Sequence, residues 1–99
     1  MKTYTSKDCF LVHITEEQAD FSDIFKVADS YHVAQVMVHD YIAELEAAYG
    51  NDIVVEKRDI KATYPTMMEL WHITSKPHVI NPINVAVELH EVKNYYKCV

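Results

Sequence analysis

The sequence predicts a two-layer α+β fold in which one long helix packs on a mainly antiparallel sheet of four to five strands, in the order ββαβββ. Three observations predict it. Residues Tyr31 to Tyr49 run without glycine or proline and repeat apolar residues at helical spacing. The segments on either side alternate apolar and polar residues with the period of two that marks half-buried strands. Valine, isoleucine and tyrosine dominate the apolar residues while leucine is sparse, a mixture that suits a pleated surface. The 99 residues form a single domain, 1–99, and one glycine with three prolines leaves little reason to expect disorder or low complexity.

The first strand is read over TYTSKDCFLVHI, residues 3–14, with Phe10, Val12 and Ile14 on one face and Cys9, Leu11 and His13 on the other. The acidic stretch TEEQADFS follows as a loop. A short second strand, Asp23 to Ala28, returns beside the first as a hairpin carrying Phe25 and Val27, although six residues are also few enough to be absorbed into the loop. Asp29 and Ser30 are both good helix N-caps, and Gly50 followed by Asn51 and Asp52 supplies the stop. Within the helix, Tyr31, Ala34, Val38, Tyr41, Ile42, Leu45, Ala48 and Tyr49 form one apolar stripe about 120° wide, the core face. His32, His39 and Glu46 project opposite to it. Val33, Val36 and Met37 lie off the stripe, where apolar residues call for cover by a loop, a second subunit or a partner.

Beyond the helix, IVVEKRDIKATYP reads as a third strand whose polar centre, Glu56 to Asp59, suits a sheet edge or a projecting ribbon, and Pro65 ends it. MMELWHITS gives a fourth strand and INVAVELHEV a fifth, joined by the eight-residue loop SKPHVINP. The tail KNYYKCV extends the last strand.

Composition excludes several functions. Phosphate-cradling loops and dinucleotide fingerprints need several glycines for close backbone approach, and a nucleophile elbow needs two beside its serine. With Gly50 alone, none can exist. A single arginine, Arg58, and a net charge of -6 exclude direct nucleic-acid binding through a basic face. No segment approaches the roughly 18 apolar residues of a membrane span, and MKTYTSKDCFLVHIT lacks the apolar run of a signal peptide. A soluble, cytoplasmic protein without membrane partners is expected.

Six histidines raise the question of a metal centre. His32 and His39 share a helix stripe, but seven residues separate them by about 10.5 Å along the axis, too far for one ion without another element folding over them. No HExxH, CxxC or HxH occurs. Ligands would have to converge from strands, for example His72 and His90 with Glu69 or Glu88; no metal or cofactor is expected. Cys9 and His13 share a strand face but stand about 13 Å apart, which rules out a hydrogen-bonded catalytic pair. Cys9 and Cys98 are expected as free thiols, with a bridge between terminal strands as the alternative. The pairs Glu16 with Glu17 and Glu44 with Glu46 read as surface charge rather than acid–base machinery, and no catalytic residue is expected. Tyr64, Trp71, Tyr95 and Tyr96 are candidates for an aromatic hot spot; the simpler reading, ordinary half-buried strand residues, applies to Tyr64 and Trp71 but less to Tyr95 and Tyr96, which sit in a polar tail.

The charge is unevenly placed. Residues 1–52 carry ten acids against Lys2, Lys7 and Lys26, whereas residues 53–99 carry five acids against six bases. Glu16, Glu17, Asp20, Asp23 and Asp29, with Asp40, Glu44 and Glu46 on the outer helix face, then become the expected contact for a protein partner with a basic surface.

The stretch IFKVADSYHVAQVMVHDYIAEL, placed after a hairpin and before DIVVEKRDIKATY, resembles small uncharacterised ββαβ proteins of bacteriophages and mobile elements. In those, a strand ending in a V-A-D-S turn leads into an alanine-bearing helix and then a strand with a mixed-charge centre. The resemblance covers residues 4–64 and carries no catalytic residues. It implies a non-enzymatic protein-binding module, a phage-type inhibitor that occludes the basic surface of a host nucleic-acid-handling defence protein. The alternative is a structural or assembly protein that forms a homodimer or larger homo-oligomer through Val33, Val36 and Met37 or through a sheet edge. A third reading is a small enzyme or metal binder that uses strand histidines.

Overall fold

The computed structural model describes residues 2–17, 23–60, 66–76 and 80–98, with 2–6 and 92–98 described by backbone alone. Its elements run β1 (Lys2–Glu16), β2 (Ile24–Ala28), α1 (Tyr31–Tyr49), a 3-10 turn at Gly50–Asp52, β3 (Ile53–Lys57), β4 (Met67–Ser75) and β5 (Ile83–Cys98). The strands form one antiparallel sheet in the order β2-β1-β5-β4-β3, and α1 packs on one of its faces. This is the expected two-layer α+β architecture.

Local chemistry sets the helix ends. Ser30 adopts an extended backbone and its side-chain oxygen accepts the Val33 N–H at 3.1 Å. At the other end Gly50 takes φ 61 and ψ -134 and donates its N–H to the Glu46 carbonyl. An L side chain rarely adopts that conformation, so glycine is required there. Because α1 links β2 at one sheet edge to β3 at the other, it must cross the whole sheet. Nineteen residues give about 28 Å of helix for a sheet about 19 Å wide, so the length suffices.

The core is a thin layer of valine and isoleucine. Val12 and Ile14 of β1, Ile83, Val85 and Val87 of β5, Ile73 of β4 and Ala28 of β2 meet Ala34, Val38 and Ile42 of α1. The helical stripe therefore contracts to an i, i+4, i+8 row. Tyr31, Tyr41 and Leu45 are half-buried on its flanks, while Ala48 and Tyr49 are exposed. Met37, expected off the stripe, instead packs against the core. His39, expected to project into solvent, is exposed but lies edge-on to Trp71 at 6.2 Å between ring centroids.

Strand register decides which residues the helix covers. Phe10, Val12 and Ile14 stand opposite Ala28, Lys26 and Ile24, so Phe25 and Val27 lie on the other face with Leu11 and His13. They are 57% and 63% exposed, and Phe25 stacks on His13 at 4.3 Å. The third strand is shorter than expected. It ends at Lys57; the Arg58 N–H still bonds the Leu70 carbonyl, but residues 58–60 are irregular, and 61–65 lie outside the described residues. No apolar side chain in Glu56 to Asp59 needs cover, which removes the reason to continue the ladder. The edge position expected of this strand is observed.

Two strands outrun the rest. β1 pairs with β5 from Glu16↔Ile83 to Lys2↔Cys98, whereas β2 pairs only with Phe10–Ile14 and β4 reaches only Glu88 of β5. Among the described residues no third strand pairs with the far part of β1 and β5, a two-stranded arm. It gives a radius of gyration of 16.0 Å, against about 13 Å for a compact chain of this length. The same register places Cys9 opposite His90 and Cys98 opposite Lys2. Eight residues of β5, roughly 26 Å, then separate the two cysteine backbones, far beyond the 7 Å or so that a disulfide spans. Cys9 is a free thiol.

Candidate functional site: an acidic groove beside a buried carboxylate

At the end of the sheet opposite the arm, the C-terminal half of α1 overhangs the junction of β1 and β5. A groove of about 380 Å³ opens there, lined by Glu16, Tyr41, Leu45, Tyr49, Ile80, Asn81 and Ile83. Tyr41, Leu45 and Tyr49 repeat at i, i+4 and i+8, so one side of the helix forms the wall. Ile80, Asn81 and Ile83 arrive with the β4–β5 connection. Asn81 Nδ2 donates to Glu16 Oε1 at 3.1 Å, and Asn84 Nδ2 donates to Glu17 Oε1 at 3.1 Å. The Glu17 N–H bonds the Pro82 carbonyl, which fixes the chain end of β1 against the same connection.

The electrostatics of the groove are one-sided. Burial raises the Tyr41 pKa, and the neighbouring Glu16 and Glu44 carboxylates and Tyr49 raise it further. The last turn of α1 carries no basic residue. Its unpaired carbonyls add the negative end of the helix dipole to these acids, an arrangement that favours a cation. Asp52 follows in the 3-10 turn, where its carbonyl accepts the Lys76 N–H at 2.6 Å.

The expected partner-contact acids do not gather in one place. Glu16 lines the groove with Glu44 near Tyr41, whereas Glu17 bonds Asn84, which also meets His72 on the uncovered face. Asp23 is 3.5 Å from His13 on the uncovered side of the hairpin. Asp29, at the opposite end of β2, pairs with Lys7 at 3.0 Å. Asp40 and Glu46 are exposed on α1, and Asp20 lies outside the described residues. Val33 and Val36 are 42% and 43% exposed, as the sequence suggests. Periodicity assigns the groove tyrosines to the core stripe, but Tyr41 is half-buried and Tyr49 exposed, and both line the groove.

A second polar cluster was not foreseen. Glu69 of β4 points under α1 and is 3% exposed. It accepts hydrogen bonds from the Tyr31 hydroxyl, from Gln35 Nε2 at 3.1 Å and from Trp71 Nε1 at 3.0 Å, and Lys57 Nζ stands 3.8 Å away. Burial alone would raise its pKa, but the three donors and the Lys57 ammonium outweigh burial and lower it. The Tyr31 pKa is pushed up to about 12 by burial and by the Glu69 carboxylate. The proton therefore stays on Tyr31, and the cluster is a locked strut between helix and sheet. Glu69 stands opposite Val87 in continuous register with Trp71 opposite Val85 and Ile73 opposite Ile83, so strand alternation places this side chain on the helix-facing side.

That orientation separates two of the residues that a strand-borne metal site would have to bring together. Glu69 faces the helix, while His72 lies on the uncovered face, 2.9 Å from Asn84 Oδ1. The two cannot share an ion. Among the described residues no group of three or more His, Cys, Asp or Glu is placed to hold a metal, and His78 lies outside them. Of the expected aromatic hot spot, Trp71 is half-buried between Lys57 and His39; Tyr64 and the side chains of Tyr95 and Tyr96 lie outside what the structure describes.

No family model, curated protein or solved structure matches this chain. Among the described residues no helix is long and apolar enough to cross a membrane.

Proposed function

We propose that this protein is a non-enzymatic protein-binding module whose acid-rich end engages a basic surface on a partner protein. The observation that carries the reading is the groove itself. Tyrosine and aliphatic walls, the Glu16 carboxylate and an uncompensated helix C-terminus together suit an arginine or lysine side chain better than any neutral or anionic group. Occlusion of a nucleic-acid-binding surface, as a phage-type inhibitor of a host defence protein would achieve it, is the role such a module serves best, because a basic groove attracts carboxylates as it attracts phosphates.

Titration of an oligo-arginine peptide, followed residue by residue by NMR at low and high salt, tests the reading. Shifts centred on Glu16, Tyr41, Leu45 and Tyr49 that weaken steeply with salt are expected. Charge neutralisation at Glu16 and Glu44 together should abolish binding. Salt-insensitive binding, or shifts centred elsewhere, would count against it.

Self-assembly is a second reading, favoured by the β2 edge. That strand bears Ile24, Phe25 and Val27 at 47%, 57% and 63% exposure, and no bulge or proline protects it.

A further inference from the structure

Among the described residues, the groove is lined by one charged side chain, Glu16, set between two tyrosines, Asn81 and aliphatic residues. Asn81 Nδ2 donates to Glu16 Oε1 at 3.1 Å, so the donor end of the amide is turned to the carboxylate and its carbonyl oxygen is left to accept. Glu44, one turn along α1 from Tyr41, adds a second negative field. Tyr49 is 37% exposed, which leaves part of its ring open to a guest. At about 380 Å³ the groove lies at the small end of ligand sites, a size for one side chain rather than for a helix or strand.

Hydrogen-bond acceptors beside aromatic and aliphatic walls treat the two cationic side chains differently. A lysine ammonium is a compact, strongly hydrated charge, and apolar walls replace little of the water it gives up. An arginine guanidinium is more weakly hydrated and carries its five donors around the edge of a plane, so its edge bonds a carboxylate while its face stacks on a ring. We infer that the groove selects arginine over lysine, taking one arginine side chain of a partner protein with its guanidinium edge on Glu16 and its face against Tyr49. The inference rests on the reading of the groove as a site for a basic protein surface, and adds the residue type that the partner supplies there. Glu16 and Glu44 attract either cation, whereas the tyrosine ring discriminates between them.

The test is calorimetric titration of the full chain with two blocked peptides of equal length and charge, hexa-arginine and hexa-lysine, at one salt concentration, with NMR shifts at Glu16 and Tyr49 marking the site. Hexa-arginine should bind about tenfold more tightly than hexa-lysine. Tyr49→Leu keeps apolar bulk without the ring and should bring the two peptides within about twofold, chiefly by weakening hexa-arginine. Tyr49→Phe restores the ring and should restore the preference. Glu16→Gln should weaken both peptides, and circular dichroism confirms that each variant folds. Equal or tighter binding of hexa-lysine by the wild type, or a preference that survives Tyr49→Leu, would overturn the inference. Equal binding of the two peptides at the groove, weakened by Glu16→Gln, would leave the proposed function standing. Binding of neither peptide would remove both.

Discussion

Truncation of Glu69 is the most informative perturbation of the fold. The Glu69 side chain is 4% exposed, and the Glu69→Ala change leaves the Tyr31 hydroxyl, Gln35 Nε2 and Trp71 Nε1 without their acceptor. Hydrogen bonds to a charged acceptor contribute roughly 1.5–3 kcal/mol each. Tyr31, Gln35 and Trp71 are all half-buried, so water replaces part of what each donor loses. The net cost is then about 2–4 kcal/mol, and at about 4–8 °C per kcal/mol for a domain of this size Tm falls by roughly 8–32 °C. Glu69→Gln retains the shape and one acceptor, and should cost about half as much.

The pH dependence follows with a definite sign. A carboxylate whose folded pKa lies below its ordinary 4.5 binds its proton less readily in the folded state than in the unfolded one. Its stabilisation is fully present above about pH 4.5 and is lost as pH falls through the lower folded value. Tyr31 behaves oppositely: its stabilisation is present below its ordinary pKa of 10.0 and is lost as pH rises toward about 12. Urea unfolding monitored by Trp71 fluorescence and circular dichroism, repeated from pH 3 to 11, measures both limbs. Glu69→Gln should flatten the acid limb and Tyr31→Phe the alkaline one. A Glu69→Ala cost below about 0.5 kcal/mol, or superimposable acid limbs for wild type and Glu69→Gln, would refute the argument that this cluster braces helix against sheet.

Two further predictions concern the helix ends. Gly50→Ala should cost about 1–3 kcal/mol in thermal or urea unfolding through backbone strain alone, because φ is 61 and an added Cβ meets nothing within 4 Å. A neutral result would show that the turn relaxes. Ser30→Ala removes the acceptor of the Val33 N–H and should cost about 1 kcal/mol, while Ser30→Asp, with an acceptor at the helix N-terminus, should retain stability in the same assay.

The sequence by itself determined the features written in local patterns. The bounds of α1 follow from a capping serine and a glycine that alone tolerates its backbone angles. The bounds of β4 follow from alternation, and the fold class from how these elements bury their faces together. The edge position of β3 followed from its polar centre. What periodicity cannot say is which partner covers a face. Phe25 and Val27 alternate like core residues, yet the register of β2 against β1 turns them to the uncovered side. Met37 lies off the ideal stripe, but its side chain reaches the core across the helix flank. Only the tertiary structure joined β1 to β5 along their whole length, because those strands are far apart in the chain and either could have paired elsewhere. From that pairing came the arm at one end and, at the other, Glu16 beside the helix tyrosines. Alternation with Trp71 and Ile73 turns Glu69 toward the helix, but only the packing of α1 over β4 brings the Tyr31 and Gln35 donors to it.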